Sequence, residues 1–478
     1  MSNCDCGKLH EECGVFAISN GGNEEIDVIS ETYYALYALQ HRGQESCGIS
    51  VNDSGVIHTW KDVGLVPEVF TAERLAKLPH GKSAIGHVRY APNSQISAIN
   101  AQPLVVKHAK GTLALAHNGN LVNATELRLE MQQKGTFFQT SNDTEVIAYL
   151  IASQRLTTPS IEAAVESAME KMEGSYSFVV MSPQKIIAAR DPHGFRPLCI
   201  GKLKDGGYIF SSETCALDAV GAEYIRDVKA GEIVMIYNNE LITYKEGSDV
   251  SNGLCVFEFI YFARPDSVIE GASVHMARKR AGAFLAKSHP VDADVVIGVP
   301  DSGLDAAQGY ALESGIPYGV GLLKNRYIGR TFIQPLQSQR ENSVRIKLNA
   351  IAETVRGKRV IMVDDSIVRG TTSARIVRLL REAGATEVHM RVSSPPFINS
   401  CYFGTDIGNI KDLIACRMPL EDIASEIGVD SLGFLSLEDT EKIAFGEKRS
   451  FCTGCFSGKY PICIDKVHSV DKFEQKIK

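Results

Sequence analysis

Residues 360–373, Val-Ile-Met-Val-Asp-Asp-Ser-Ile-Val-Arg-Gly-Thr-Thr-Ser, narrow the fold more than any other stretch of this chain. Residues 360–363 are continuously apolar behind the polar Gly357, Lys358 and Arg359, as in a parallel strand covered on both faces. Ile376, Leu379, Leu380 and Ala383 then recur at helical spacing up to Gly384, so residues 370–373 lie where a helix begins. Free backbone N–H groups and the positive dipole end at that start favour a phosphate, and the hydroxyls of Ser366, Thr371, Thr372 and Ser373 add donors. Asp364 and Asp365 would repel a phosphate and instead suit ribose hydroxyls or a hard divalent cation. The competing reading is an ordinary strand–turn–helix with acidic residues at the sheet rim. Neither the G-x-x-x-x-G-K-[ST] pattern of a P-loop nor the G-x-G-x-x-G pattern of a dinucleotide fold is present in this stretch.

The chain changes rhythm along its length. Strand-like runs at 13–18, 48–51, 83–88, 112–116, 176–181 and 186–189, with helical patterns at 29–39, 123–133 and 143–153, predict antiparallel sheets with packed helices up to about residue 250. Beyond about residue 273 the order becomes strand, loop, helix: 295–299 then 304–313, 360–363 then 372–383, then a strand at 387–392. That alternation predicts a doubly wound parallel sheet with ligands beyond the carboxyl ends of its strands. The first of these strands runs into Pro300-Asp301-Ser302-Gly303, which offers a hydroxyl and a backbone nest to the same crevice, or is a plain turn.

Bulk properties exclude several classes. At 478 residues the length prior is about two to three domains. The longest apolar stretch, residues 254–262, contains Glu258 and is too short to span a bilayer, and residues 1–12 hold no apolar signal core. The expectation is a cytoplasmic protein with no membrane role. A net charge of -7 disfavours a nucleic-acid surface but leaves room for a local basic pocket. Lys324, Arg326, Arg330, Arg340 and Arg345 cluster around Gly329 and Pro335, either as a loop over a small anionic substrate or as a solvated basic surface. Twelve cysteines in such a chain point to thiol or metal chemistry more than to disulfides. Cys452-Thr-Gly-Cys455 by itself fits zinc, a redox pair or an iron–sulfur centre.

Two resemblances organise these observations. Residues 360–373 resemble the phosphoribosyl pyrophosphate (PRPP) loop of type I phosphoribosyltransferases. The runs Glu11-Glu12-Cys13-Gly14-Val15-Phe16 and Gln40-His41-Arg42-Gly43-Gln44-Glu45 resemble class II glutamine amidotransferases. The second resemblance implies an N-terminal nucleophile: Cys13 becomes the first residue after removal of a 1–12 propeptide, and its own α-amine is the general base. It also implies that Arg89, in His87-Val88-Arg89-Tyr90, binds the α-carboxylate of glutamine and Asp143 its α-ammonium. Asn118 and Gly119, in His117-Asn118-Gly119-Asn120, become the oxyanion hole. Taken singly, Cys13 is equally a buried structural cysteine, Asn-Gly a hairpin turn and Asp143 a helix cap. Relatives carry small hydroxyl residues after the Arg89 stretch, where this chain has Ala91-Pro92-Asn93.

Together the motifs resemble the amidophosphoribosyltransferase family, in its propeptide-bearing iron–sulfur form, over nearly the whole chain. The implied architecture is an N-terminal-nucleophile αββα sandwich over 13–250 followed by a type I phosphoribosyltransferase sheet over 251–478. The implied reaction transfers ammonia from glutamine to C1 of PRPP, the first committed step of purine synthesis. Asp364, Asp365, Ser366, Arg369, Gly370, Thr371, Thr372 and Lys324 would bind PRPP, with Mg2+ at Ser302, Asp364 and Asp365. Cys255, Cys401, Cys452 and Cys455 would hold a [4Fe-4S] cluster. The family implies a homotetramer inhibited by purine nucleotides, with Arg345 and Lys347 as phosphate contacts, and residues 324–335 as a lid that PRPP closes. A sugar-phosphate amidotransferase such as glucosamine-6-phosphate synthase would share the front half but leaves 360–373 unexplained. A non-catalytic purine-responsive regulator would share the PRPP loop but leaves the amidotransferase motifs unexplained.

Overall fold

A computed structural model of the chain describes residues 13–90, 97–249, 252–325, 348–405, 407 and 410–464. The expected leader, the Ala91-Pro92-Asn93 departure, Arg345, Lys347 and the basic segment from Arg326 onward lie outside the described residues, as does the expected boundary at 250/251.

The amino-terminal half holds two stacked antiparallel sheets. One has seven strands in the order Glu223–Asp227, Cys199–Lys202, Tyr208–Ser211, Gly14–Ser19, Ser83–Arg89, Ser46–Asp53, Val56–Val63. The other has six: Glu240–Lys245, Ile233–Tyr237, Lys185–Arg190, Gly174–Met181, Gly111–Leu121, Leu104–His108. Strand alternation assigns each side chain to a layer. Val15 and Ala17 enter the core between the sheets with Ala114, Ala116, Val179 and Ala188, whereas Phe16 and Ile18 face outward onto the helix Val28–Ala38. Leu113 and Leu115 likewise face the helices Asp143–Gln154 and Ile161–Met169. Helices therefore cover both outer faces, giving the αββα sandwich.

The carboxyl-terminal half is built on a four-stranded parallel sheet ordered Val295–Gly298, Arg359–Asp364, Glu387–Val392, Ser431–Phe434. Val296, Ile361 and Val363 pack against the helices Val274–Ser288 and Leu304–Ser314, and Val295, Ile297, Val360 and Met362 against the helices Thr371–Glu382 and Leu420–Ile427. Both faces are covered, the reason residues 360–363 are apolar without alternation. The halves meet through buried polar contacts and through stacking of Phe195 on Phe403, with ring centroids 4.3 Å apart.

One boundary differs from expectation in a way that matters. The strand expected at 112–116 extends to Leu121, so Asn118 and Gly119 lie inside a strand, opposite Ser177 and Tyr176, and not in a hairpin turn.

Candidate functional site

Cys13 immediately precedes the strand Gly14–Ser19, which pairs with Ser83–Arg89 so that Gly14 lies opposite Val88. This register brings Cys13 to the Arg89 end, with its Sγ 3.7 Å from the Tyr90 carbonyl. The Cys13 carbonyl accepts a 3.0 Å hydrogen bond from Arg42 Nε. Burial lowers the Arg89 pKa, while Cys13, Asp143 and Glu45 act in the opposite direction, so these three groups gather round the guanidinium. Asp143 does not cap its own helix. Asn142 is the N-cap and accepts from the Thr144 N–H, which frees Asp143 to accept from Leu121 N at 3.0 Å and to lie 3.6 Å from His117 Nδ1. Burial opposes its ionisation, but His117, the Leu121 N–H and Arg89 outweigh burial and hold it below the usual carboxylate range.

His87 ties the two sheets together, its Nε2–H donating to the His117 carbonyl at 3.0 Å. Burial pushes its pKa down to about 3, so the ring is neutral at physiological pH. One residue beyond His117, the Asn118 carboxamide is 1% exposed, and neither its nitrogen nor its oxygen has a hydrogen-bond partner among the described residues. Such orphaned groups cost about 1–3 kcal/mol when nothing binds them. Gly119 follows with φ +143°, and a Cβ there would sit 2.1 Å from the Ser175 carbonyl oxygen, so no other residue fits. Cys13, Arg89, Asp143, Asn118 and Gly119 thus meet at one end of the sandwich.

The second site lies at the carboxyl end of the parallel sheet. Asp364 ends its strand, and Asp365 N donates to Asp364 Oδ1 at 3.0 Å. Ser302 and Ser366 donate to the two oxygens of Asp365, each at 2.5 Å, so the tetrapeptide after Val299 faces the acidic pair. Across the crevice, Lys324 Nζ lies 2.6 Å from Asp301 Oδ2. Gly370 has φ +82° and caps the helix that starts with Thr371 and Thr372. Arg369 approaches Asp412, with 4.0 Å between Nη2 and Oδ2. The acidic pair, the hydroxyls and the helix start therefore share one rim.

Cys255, Cys401, Cys452 and Cys455 line a single cavity together with Phe195, Arg196, Phe257 and Phe403. Backbone geometry helps to hold the set: Cys255 and Cys452 form a parallel bridge, and Ile398 N and Asn399 N both donate to the Cys455 carbonyl. Burial and the neighbouring thiols raise the Cys255 and Cys455 pKa values, and burial pushes that of Cys452 up to about 12.

Three buried ion-pairing residues between the sites escaped the sequence reading. Arg42 donates through Nη1 and Nη2 to the two oxygens of Glu258, both at 2.9 Å, and through Nη1 to Glu213 at 2.6 Å. All three side chains are fully buried. A signal existed: Glu258 interrupts the most apolar run of the chain, and a buried acidic side chain calls for a buried partner.

Comparison with known proteins gives a consistent picture. A glutamine amidotransferase domain model matches residues 87–219 and a phosphoribosyl transferase domain model residues 274–394. The chain is 50% identical over 459 residues to the amidophosphoribosyltransferase of Bacillus subtilis, spanning 95% of this chain and 94% of that one. It is 48% identical over 464 residues to that of Methanocaldococcus jannaschii, spanning 94% and 97%. Among solved structures, the glutamine PRPP amidotransferase of B. subtilis complexed with ADP and GMP superposes with a TM-score of 0.87 at 48% identity, covering 95% of this chain and 98% of that one. The chain belongs to the amidophosphoribosyltransferase family.

Proposed function

We propose that the chain converts PRPP, glutamine and water into 5-phosphoribosylamine, glutamate and pyrophosphate, opening de novo purine synthesis. The observation that carries this reading is the pairing, on one chain, of a thiol gathered with Asp143 round Arg89, and an unpartnered buried carboxamide on the facing sheet, with an acidic, hydroxyl-rich helix start. In this reading the Cys13 thiolate attacks the glutamine amide carbon. Asn118 Nδ2 and the Gly119 N–H stabilise the oxyanion, ammonia leaves, and water hydrolyses the Cys13 thioester to glutamate. Arg89 binds the substrate α-carboxylate with its fork and Asp143 the α-ammonium. The internal Cys13 has no free amine, so cleavage between Glu12 and Cys13 is part of the proposal; intact mass of active enzyme still carrying Ser2 would refute it.

Ammonia then displaces pyrophosphate at ribose C1. Asp364 and Asp365 accept from the ribose hydroxyls, while the helix start at Gly370, Thr371 and Thr372, with Ser366, Arg369 and Lys324, receives phosphate oxygens. Mg2+ bound at Asp364, Asp365 and Ser302 would neutralise leaving-group charge. Two carboxylates and one hydroxyl suit that ion, which takes its remaining ligands from substrate and water. Free ammonia would protonate in water, so a water-excluding path between the sites preserves its lone pair; the expected lid over 324–335 falls mostly outside the described residues.

For the cysteine cavity we propose a [4Fe-4S] cluster. The thiols of Cys255, Cys401, Cys452 and Cys455 line one cavity, Cys452 buried and the other three half-buried. Four convergent cysteines match the thiolate set that a [4Fe-4S] cluster takes. The B. subtilis relative was solved with ADP and GMP, and purine nucleotides are proposed as feedback inhibitors contacting Arg345 and Lys347. A cytoplasmic homotetramer completes the reading; among the described residues no helix is long and apolar enough to cross a membrane.

The deciding experiment is pyrophosphate release from PRPP with glutamine or ammonia as nitrogen source. Cys13→Ala should abolish the glutamine-dependent rate and leave the ammonia-dependent rate. Equal loss of both in a folded variant would contradict the division of labour.

A further inference from the structure

The segments that carry the cysteines also hold the glutaminase machinery from outside. Immediately after Cys401, the carbonyls of Tyr402 and Phe403 accept from the amino-terminal half: Asn120 Nδ2 to Tyr402 at 2.9 Å, Ser175 Oγ to Phe403 at 2.7 Å and Arg196 Nη2 to Phe403 at 2.7 Å. Asn120 is the residue after Gly119, and its N–H donates to the same Ser175 Oγ at 3.1 Å. Ser175 is also the residue whose carbonyl crowds Gly119. The strand bearing Asn118 and Gly119 is therefore pinned at its far end to the loop that begins at Cys401. Three residues after Cys255, Glu258 grips Arg42, whose Nε holds the Cys13 carbonyl; Glu258 also pairs with Arg196 at 3.3 Å, and Arg196 lines the cysteine cavity.

We infer that these two cysteine-bearing segments are positioning elements for glutamine hydrolysis: the Tyr402–Phe403 carbonyls fix the oxyanion strand, and Glu258, through Arg42, fixes the backbone of the nucleophile. The proposal rests on the roles assigned above to Cys13, Asn118 and Gly119. Its physical basis is geometric. An oxyanion donor acts only when aimed at where charge develops, and small displacements of the reacting groups are costly in rate. None of the four positioning residues, Asn120, Ser175, Arg42 and Glu258, belongs to the PRPP site, so the effect is confined to the glutamine half-reaction.

The test uses the full-length chain, carrying its metal content as isolated, with Asn120→Ala combined with Ser175→Ala, and separately Glu258→Gln. The expected result for the first variant is a fall in kcat for glutamine hydrolysis of about tenfold or more. KM for glutamine, ammonia-dependent synthesis and iron and sulfide content should stay unchanged. Glu258→Gln should in addition slow alkylation of Cys13 by iodoacetamide, a readout of thiol placement independent of turnover. Retention of glutaminase kcat in the Asn120→Ala/Ser175→Ala variant overturns the inference, as does a parallel loss of glutamine-dependent and ammonia-dependent rates. Because Glu258→Gln leaves two buried arginines short of a carboxylate and can fail to fold, the Asn120/Ser175 pair decides the matter alone. A Cys13→Ala control separates the two levels. If it abolishes glutamine hydrolysis while the Asn120/Ser175 pair leaves kcat intact, only the positioning inference falls; if it leaves hydrolysis intact, the assignment beneath it falls too.

Discussion

Replacing Asn118 by leucine should make this protein more stable and far less able to use glutamine. The side chain is 1% exposed, and both of its polar atoms lack partners among the described residues. Each buried orphan costs about 1–3 kcal/mol, and leucine is close to asparagine in shape while carrying no polar atoms. Allowing for imperfect packing of the branched methyl groups, we expect a net gain of about 1–2 kcal/mol. For a folding unit of this size that is a rise of roughly 2–8 °C in Tm. Loss of one oxyanion donor should lower kcat for glutamine hydrolysis by about 10²–10³, equivalent to about 2.7–4 kcal/mol of transition-state stabilisation. Glutamine KM should hardly move, because the donor meets charge that develops only in the transition state. Differential scanning fluorimetry and a coupled glutamate assay measure the two effects, with ammonia-dependent synthesis as the control. A lower Tm together with loss of ammonia-dependent synthesis would refute the reasoning, since it would make Asn118 a structural residue of the strand.

Other expectations test the remaining links. Gly370→Ala forces a side chain onto a residue with φ +82° and places a methyl 2.5 Å from Ile414 Cδ1. It should cost about 1–2 kcal/mol, less if Ile414 yields, and raise the PRPP KM measured with ammonia. Asp365→Asn keeps the side chain's shape but removes its charge and leaves a single acceptor oxygen where Ser302 and Ser366 now use two; PRPP-dependent synthesis should fall at least tenfold with both nitrogen sources while glutamine hydrolysis persists, as paired initial-rate assays would reveal. Glu213 is pushed up by burial, but His41, Arg42 and Ser267 outweigh this and hold it well below its ordinary 4.5. A depressed carboxylate contributes stability that is present above its unfolded pKa and is lost as pH falls. Wild type should therefore lose Tm more steeply than Glu213→Gln from about pH 5 to about pH 3; parallel curves would argue against that linkage.

The local chemistry and both layer architectures were legible in the residues alone. The apolar run at 360–363, the acidic pair and the helix after Gly370 are local patterns with local causes, and Arg359–Asp364 followed by Thr371–Glu382 forms as read. The run at 13–18 was likewise legible as a strand, but its two faces, one on helices and one on a second sheet, emerge only from the fold. Short strands such as Cys199–Lys202 and Ile233–Tyr237 went unread, because four or five residues, nearly all of them buried, carry no periodicity that separates strand from helix. Long-range pairing makes Asn118-Gly119 strand and not hairpin, since strand Gly174–Met181 pairs through it and the Ser175 carbonyl excludes any side chain at Gly119. Tertiary structure likewise turns Asp143, released from capping by Asn142, to His117. The joining of Arg42 to Glu258, and of Asn120 to Tyr402, spans more than two hundred residues of chain. Such pairs have no sequence signature beyond a charge in an apolar run, because a buried ion pair is specified by the converging fold and not by its neighbours along the chain.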